Sequence, residues 1–199
     1  MRTVWRSCMT NFINLKHFTI YNLDDTLDDL LTSGKISWKI GDNQIGINTL
    51  PGHEQDVHCA SGSLIWDWHN AIRDEDDNVV DVPKFATPRQ ESDFTVLCTQ
   101  FIGTPFEELY TELNQHYHVG RVRLMRSEPK TCLTWHLDHH PRVHYPIQTA
   151  EGCLMVIHDE VKYLPQNTWW YTNTTIKHTA FNGSSKHRIH LVATILSER

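Results

Sequence analysis

The sequence predicts a mainly β (α+β) domain, a jelly roll or barrel of short strands supported by N-terminal helices. Three observations predict it. From Arg121 onward, about eight short apolar-alternating runs recur between turn residues. Ahead of them, two stretches carry helical periodicity, and helices placed before such a sheet usually cover one of its faces. The chain has 199 residues, 39% hydrophobic and 21% charged, an ordinary globular composition for one domain. Residues 1–119 are expected to pack on a strand-rich core formed by residues 120–199.

The elements follow in chain order. Leu23, Leu27, Leu30 and Leu31 form a helical stripe within Asn22–Ser33, with Asn22 as N-cap, Asp24 and Asp25 in the first turn and Gly34 at the end. Strands are expected at Ile36–Ile40 and Gln44–Asn48, joined by Gly41, Asp42 and Asn43. Asp74 to Asp93 is acidic, holds two prolines and lacks periodicity, so it reads as a long exposed loop, either a lid or a plain connection. Phe94–Cys98 is strand-like. Thr104, Pro105 and Glu107 give an N-cap, an N1 proline and a capping box for a helix whose face is Phe106, Leu109, Tyr110, Leu113 and Tyr117. Strands are then expected at Arg121–Arg126, Leu133–His136, Arg142–Gln148, Cys153–His158, Val161–Leu164, Thr168–Thr172, Ile176–Phe181 and Arg188–Leu196.

Composition narrows the partners. A net charge of −6 and no polybasic run give no nucleic-acid footprint. No stretch reads as a membrane span, and Met1–Ile20 lacks the continuous apolar core of a signal peptide. Five cysteines, Cys8, Cys59, Cys98, Cys132 and Cys153, show no C-x-x-C and read as reduced thiols of a cytoplasmic protein. The expected partner is a small-molecule or peptide substrate; oligomeric state is not legible.

Fourteen histidines direct attention to a metal. His136-Leu-Asp138 is an H-x-D at a strand end, and residues i and i+2 of a strand face the same side. His178, forty residues after Asp138, is the best third ligand. Two histidines and one carboxylate form the facial triad of non-haem iron(II) oxygenases, which leaves coordination positions open. Arg188 lies ten residues after His178. On its strand Ile189, Leu191, Ala193 and Ile195 form the apolar face, so Arg188 points inward and needs an anionic partner, which a dicarboxylate such as 2-oxoglutarate supplies. By the same parity Arg142, His144 and Arg123 face inward; the alternative for Arg123, and less so for Arg142, is solvation at a strand end.

His136-Leu-Asp138, then Arg142-Val-His-Tyr-Pro-Ile-Gln-Thr149, Trp170, His178-Thr-Ala-Phe-Asn182 and Arg188-Ile-His-Leu-Val192 resemble the aspartyl/asparaginyl β-hydroxylase family, which includes proline hydroxylases acting on the free amino acid. The resemblance covers roughly residues 120–196. It implies a double-stranded β-helix, cupin-like. It implies Fe(II) held by His136, Asp138 and His178, with 2-oxoglutarate and O2 as cosubstrates. Arg188 would grip the distal carboxylate of 2-oxoglutarate, with Arg142 and His144 near cosubstrate or substrate. The activity implied is hydroxylation of an amino acid or a peptide side chain. Some members lack the carboxylate ligand; Asp138 supports a complete triad here.

Two rivals come from other classes. A non-catalytic or isomerase-type cupin-like metal protein has no need of an inward Arg188, and an interaction protein that lost its chemistry has no need of an intact triad. His116, His118, His139, His140, His158 and His187 read as ordinary histidines, while parity turns His190 inward. His53-Glu54 and His58 are spaced too widely for a zincin helix. Trp66 and Trp68 either line the cavity mouth or pack in the core.

Overall fold

The computed structural model describes residues 10–39, 41–67 and 70–199. Trp68, Cys8 and the first nine residues of the Met1–Ile20 segment therefore lie outside the described residues. The elements run β1 (Phe12–Asn14), α1 (Asp24–Thr32), β2 (Gln44–Gly46), β3 (Asn48–Thr49), β4 (Ile72–Arg73), β5 (Val79–Asp81), β6 (Val96–Leu97) and α2 (Pro105–His116). They continue with β7 (Tyr117–Ser127), β8 (Thr131–Cys132), β9 (Arg142–Gln148), β10 (Cys153–Ile157), β11 (Glu160–Tyr163), β12 (Trp170–Thr172), β13 (His178–Asn182) and β14 (Arg188–Glu198).

Two antiparallel sheets face each other as a double-stranded β-helix. The larger has the order β1-β12-β9-β14-β7-β2, the smaller β11-β10-β13-β8. The first half of the chain supplies both edge strands of the larger sheet: β1 pairs with β12, and β2 with β7. Strand parity works as the sequence implies. Val122, Leu124, Val143, Tyr145, Ile147, Ile189, Leu191, Ala193 and Ile195 form the outer face and join one buried cluster with Leu27 and Leu30 of α1 and Phe106, Leu109 and Leu113 of α2. Neither face of β14 meets water over Arg188–Thr194, because helices cover one side and the second sheet the other. A smaller apolar cluster, Phe12, Met155, Ile157, Leu164, Trp170 and Ala180, bridges the sheets from inside.

The inward face reads in rows from the pairing register. Thr172, Arg142 and Thr194 share one row. Trp170, His144, Val192, Arg123 and Gly46 share the next. His190, Met125 and Gln44 follow, then Arg188 opposite Ser127. Arg123 is buried, which settles the alternative left open by its place near a strand end.

Several expectations need correction. Residues 36–39 form no strand; Ile36 is buried against the helices and Trp38 stacks under Arg126 at 4.7 Å. Gln44–Asn48 is two short strands broken at Ile47, which bonds to Val122 and Cys98 instead. Leu133–His136 is not a ladder strand: pairing stops at Cys132, and one isolated bridge joins His136 to His178. The α1 N-cap is Leu23, with no side-chain cap bond, in place of Asn22. At α2 the Thr104 hydroxyl accepts from Phe106 N, but Glu107 reaches back to Gly103 N rather than to Thr104 N. The helix passes directly into β7 at Tyr117. Asp74–Asp93 is not an aperiodic loop. It begins within an exposed hairpin of β4 and β5 and ends in a 3-10 turn, Glu91–Asp93, that is anchored in the barrel.

Candidate metal centre

His136, Asp138 and His178 converge although they come from a loop and a strand. His136 and His178 exchange both backbone hydrogen bonds across their bridge, at 3.0 and 2.9 Å, and Asp138 N donates to Thr174 O at 3.0 Å. These bonds fix the H-x-D stretch against β13 where regular pairing has ended. Trp135 and Leu137 alternate outward and are exposed, so His136 and Asp138 turn inward together. One ligand atom from each of the three residues lies within 4.8 Å of the others, and they are the one such histidine, cysteine or carboxylate group among the described residues.

The histidines are oriented for their Nε2 atoms to meet. His136 Nδ1 lies 2.7 Å from Thr134 O and His178 Nδ1 lies 3.0 Å from Ile176 O. A carbonyl can only accept, so each Nδ1 carries the proton and each Nε2 keeps its lone pair, the arrangement a divalent metal requires. His178 Nε2 is 3.7 Å from Asp138 Oδ2. Burial lowers the pKa of His178 and keeps it neutral, despite the bond to Ile176. Burial would raise the Asp138 carboxyl, but the hydrogen bond and charge of Arg142 outweigh it and hold the pKa below the usual value.

Behind Asp138 lies a group the sequence reading missed. Arg142 Nε donates to Asp138 Oδ2 at 3.0 Å, and its Nη1 and Nη2 donate to Glu91 Oε1, each at 3.3 Å. Glu91 also accepts from Arg121 Nε and Nη2, both at 3.0 Å, and from Thr194 Oγ1 at 3.0 Å. Burial alone would raise the Glu91 carboxyl; its bonds to Arg121 and the charges of Arg121 and Arg142 overcome this and hold it at about 2. The 3-10 turn reaches this depth because Gly120 has no Cβ: one placed there would sit 2.8 Å from Glu91 O. One signal could have found Glu91. Inward arginines at positions 121, 123 and 142 demand more carboxylate than Asp138 supplies, and the acidic stretch ahead of β6 is the nearest source.

A cavity of about 90 Å³ opens on the triad and is also lined by Arg123, Arg142, His144, Arg188, Met155 and Val192. It is far smaller than a drug-sized pocket and suits a small ligand. Arg188 is 6% exposed, and its Nε is buried with no hydrogen-bond partner among the described residues. Burial lowers its pKa, and the Cys153 thiol is the one group that opposes this. His144 is neutral, its pKa pushed down to about 3 by burial and by Arg188 and Arg142. Its Nδ1 lies 3.4 Å from His190 Nδ1, while both Nε2 atoms are buried without partners. Of the three residues expected near the cosubstrate, Arg188 and His144 present unpaired polar atoms. Arg142 lines the cavity, but its Nε and both Nη atoms already bond protein carboxylates.

The remaining singled-out residues lie elsewhere. Trp66 is exposed, bridges to Lys84 and carries its ammonium 5.0 Å above the ring. It lines a separate depression of about 610 Å³ that also holds His53 and His58. His58 is buried with Nδ1 3.8 Å from Asp42.

Residues 104–197 match the family described as aspartyl/asparaginyl beta-hydroxylase, which bears out the resemblance read from the sequence. No curated protein matches the chain. Among solved structures, the chain is similar to a cupin domain from Bordetella pertussis Tohama I, at 18% identity over 39% of this chain and 81% of that one, with a TM-score of 0.35. It is similar to an oxidoreductase of the 2OG-Fe(II) oxygenase family from Burkholderia pseudomallei, at 16% identity over 47% of this chain and 57% of that one, with a TM-score of 0.38. It is also similar to IDO from Bacillus thuringiensis, at 10% identity over 96% of this chain and 91% of that one, with a TM-score of 0.41.

Proposed function

We propose that this chain, whose residues 104–197 match the aspartyl/asparaginyl β-hydroxylase family, is an Fe(II)- and 2-oxoglutarate-dependent dioxygenase that hydroxylates an amino acid or a peptide side chain. The observation that carries this reading is the shared cavity. A His-Asp-His set with free Nε2 atoms and a buried arginine with no protein anion face the same small space.

The residues fit Fe(II). Two neutral imidazoles and one carboxylate are the facial donor set of non-haem iron oxygenases and leave coordination positions for cosubstrate and O2. His136 Nε2, the Asp138 carboxylate and His178 Nε2 would hold it. With 2-oxoglutarate and O2, bound Fe(II) supplies the oxidising chemistry, converting 2-oxoglutarate to succinate and CO2 as a substrate C–H bond is hydroxylated.

The protein's part is positioning. Arg188 is placed for the distal carboxylate of 2-oxoglutarate, because a buried guanidinium without an anion is costly and a planar fork matches a carboxylate bidentately. Arg142 orients Asp138 and is itself oriented by Glu91, so a metal ligand is fixed by a chain of three charged groups. His144 presents Nε2 as a neutral hydrogen-bonding group beside Arg188. Met155, Ala180 and Val192 give the cavity apolar walls that limit water.

The test is succinate release from 2-oxoglutarate by the Fe(II)-loaded protein, screened over free amino acids and peptides with ascorbate present. Substrate-dependent release that disappears in His136→Ala and His178→Ala supports the reading. If both variants bind Fe(II) as tightly as the parent under anaerobic calorimetry, the metal assignment fails.

A further inference from the structure

The strand edge beside the metal centre is left unpaired. β8 is the outermost strand of the smaller sheet, and the chain runs on from it along β13 as far as Asp138. His136 makes both of its backbone bonds with His178, and Asp138 N also bonds on that side, to Thr174 O. Successive residues of an extended chain direct their N–H and C=O groups to opposite sides. Trp135 and Leu137 therefore turn theirs away from β13, and neither makes a backbone hydrogen bond among the described residues. Their side chains are exposed as well, Trp135 at 49% and Leu137 at 65%.

An apolar edge of this kind is usually guarded, because it templates pairing with another chain. Residues 131–138 hold no lysine, arginine, glutamate or proline, and Asp138 is turned inward to Arg142. The inward side of the same stretch is the metal centre. Leu133 is 43% exposed and also lines the cavity on the triad, so the segment forms part of the cavity mouth. An antiparallel strand added here would bond to Trp135 and Leu137 through alternate residues. The residue between those two would stand opposite His136, with Cα atoms about 4.5 Å apart, and directly opposed residues share a face. Its side chain would point with His136 and Asp138 toward the cavity. Its two neighbours would lie on the outer face beside Trp135 and Leu137.

We propose that the Trp135–Leu137 edge docks the substrate as an extended peptide strand whose target residue is flanked on both sides by apolar residues; this rests on the dioxygenase reading above. Main-chain bonds would supply affinity and the alternating side chains selectivity, the general logic of recognition by strand addition. A free amino acid has no flanking residues to reach Trp135 and Leu137. A second copy of this chain is the poorer occupant. Two-fold pairing about this stretch would set a second His136, itself a candidate metal ligand, where the side chain to be hydroxylated must stand.

The probes are heptapeptides Lys-Thr-Val-Xaa-Val-Thr-Lys, capped at both ends, with Xaa each of the common amino acids. They are titrated by calorimetry into the protein loaded anaerobically with Fe(II) and 2-oxoglutarate. At least one should bind roughly tenfold or more tightly than the same Xaa as a free amino acid, and than its analogue with serine in place of both valines. N-methylation of either valine should cost roughly fivefold or more, the worth of one main-chain bond, whereas N-methylation of Xaa, whose N–H faces away, should cost less than about twofold. Bound peptide should also slow hydrogen exchange at the Trp135 and Leu137 amides. The proposal is overturned if no peptide binds, if free amino acids bind as tightly, if N-methylation costs as much at Xaa as at valine, or if the two amides exchange no more slowly with peptide bound. A dimer seen by sedimentation, with those amides already protected, overturns it too. Failure of the protein to bind 2-oxoglutarate at all would instead remove the functional reading beneath it.

Discussion

Glu91→Gln cuts the link that holds Arg142, and through it Asp138, in place. The parent carboxylate takes bonds from Arg121, Arg142 and Thr194 while almost wholly buried. Glutamine keeps the shape but removes the charge facing two buried guanidinium groups. Two independent routes give the size of the loss. The fall of the carboxyl pKa from 4.5 to about 2 corresponds to roughly 3 kcal/mol at about 1.4 kcal/mol per pH unit. Breaking a buried ion pair by removing one partner costs about 3–5 kcal/mol. For a chain of this size, ~3 kcal/mol lowers the melting temperature by roughly 6–12 °C. The pH dependence carries a sign. The folded carboxyl is depressed, so its contribution is present above about pH 4.5 and is lost as pH falls toward 2. Thermal denaturation of parent and variant from pH 7 to pH 2 should therefore show a gap of this size at neutral pH that closes in acid. A variant melting within about 2 °C of the parent at pH 7, or a gap that persists undiminished at pH 2, refutes the reasoning.

Other outcomes follow from the same geometry. Arg188→Ala should weaken 2-oxoglutarate binding roughly tenfold to several hundredfold in anaerobic titration while leaving Fe(II) affinity unchanged, and Arg188→Lys should recover part of the loss; equal 2-oxoglutarate affinity in Arg188→Ala contradicts it. Among the described cysteines, brief maleimide treatment of the native protein should label exposed Cys132 first, and Cys98, buried and pushed up to about 12, last by mass spectrometry. Labelling of Cys98 as fast as Cys132 would show that the core opens readily. Limited proteolysis should cut first in the exposed turn between β4 and β5, around Asp74–Asn78, and spare the anchored 89–93 end. Early cleavage beside Glu91 would contradict its anchoring.

The site was legible where a local pattern alone decides direction. H-x-D fixes two candidate ligands on one side of the chain, and the apolar alternation Ile189, Leu191, Ala193 and Ile195 turns Arg188 inward whatever its partners are. Sheet order and the edge strand β1 were not legible, because three residues such as Phe12–Asn14 carry no period of their own and are strands only through pairing; the strand expected at Gln44–Asn48 contains β2, but its pairing with β7 was not legible. The strand expected from Ile36 failed over residues 36–39 for a related reason: Ile36 packs on the helices and Trp38 on Arg126 without a neighbouring strand. Glu91 was hidden by company. It sits in an acidic, proline-bearing stretch whose other carboxylates are exposed, and only the distant arginines of β7 and β9 distinguish it.

On the proposed function, bound iron would create a 2-oxoglutarate site beside it. Anaerobic calorimetry of 2-oxoglutarate binding, with and without one equivalent of Fe(II), tests it most directly. One Fe(II) should bind per chain and be lost in His136→Ala and His178→Ala, and 2-oxoglutarate should bind at least about tenfold tighter once iron is present, since the metal would add a second anchor to Arg188. Fe(II) binding that survives both histidine substitutions, or 2-oxoglutarate that does not bind the iron-loaded parent, would contradict it.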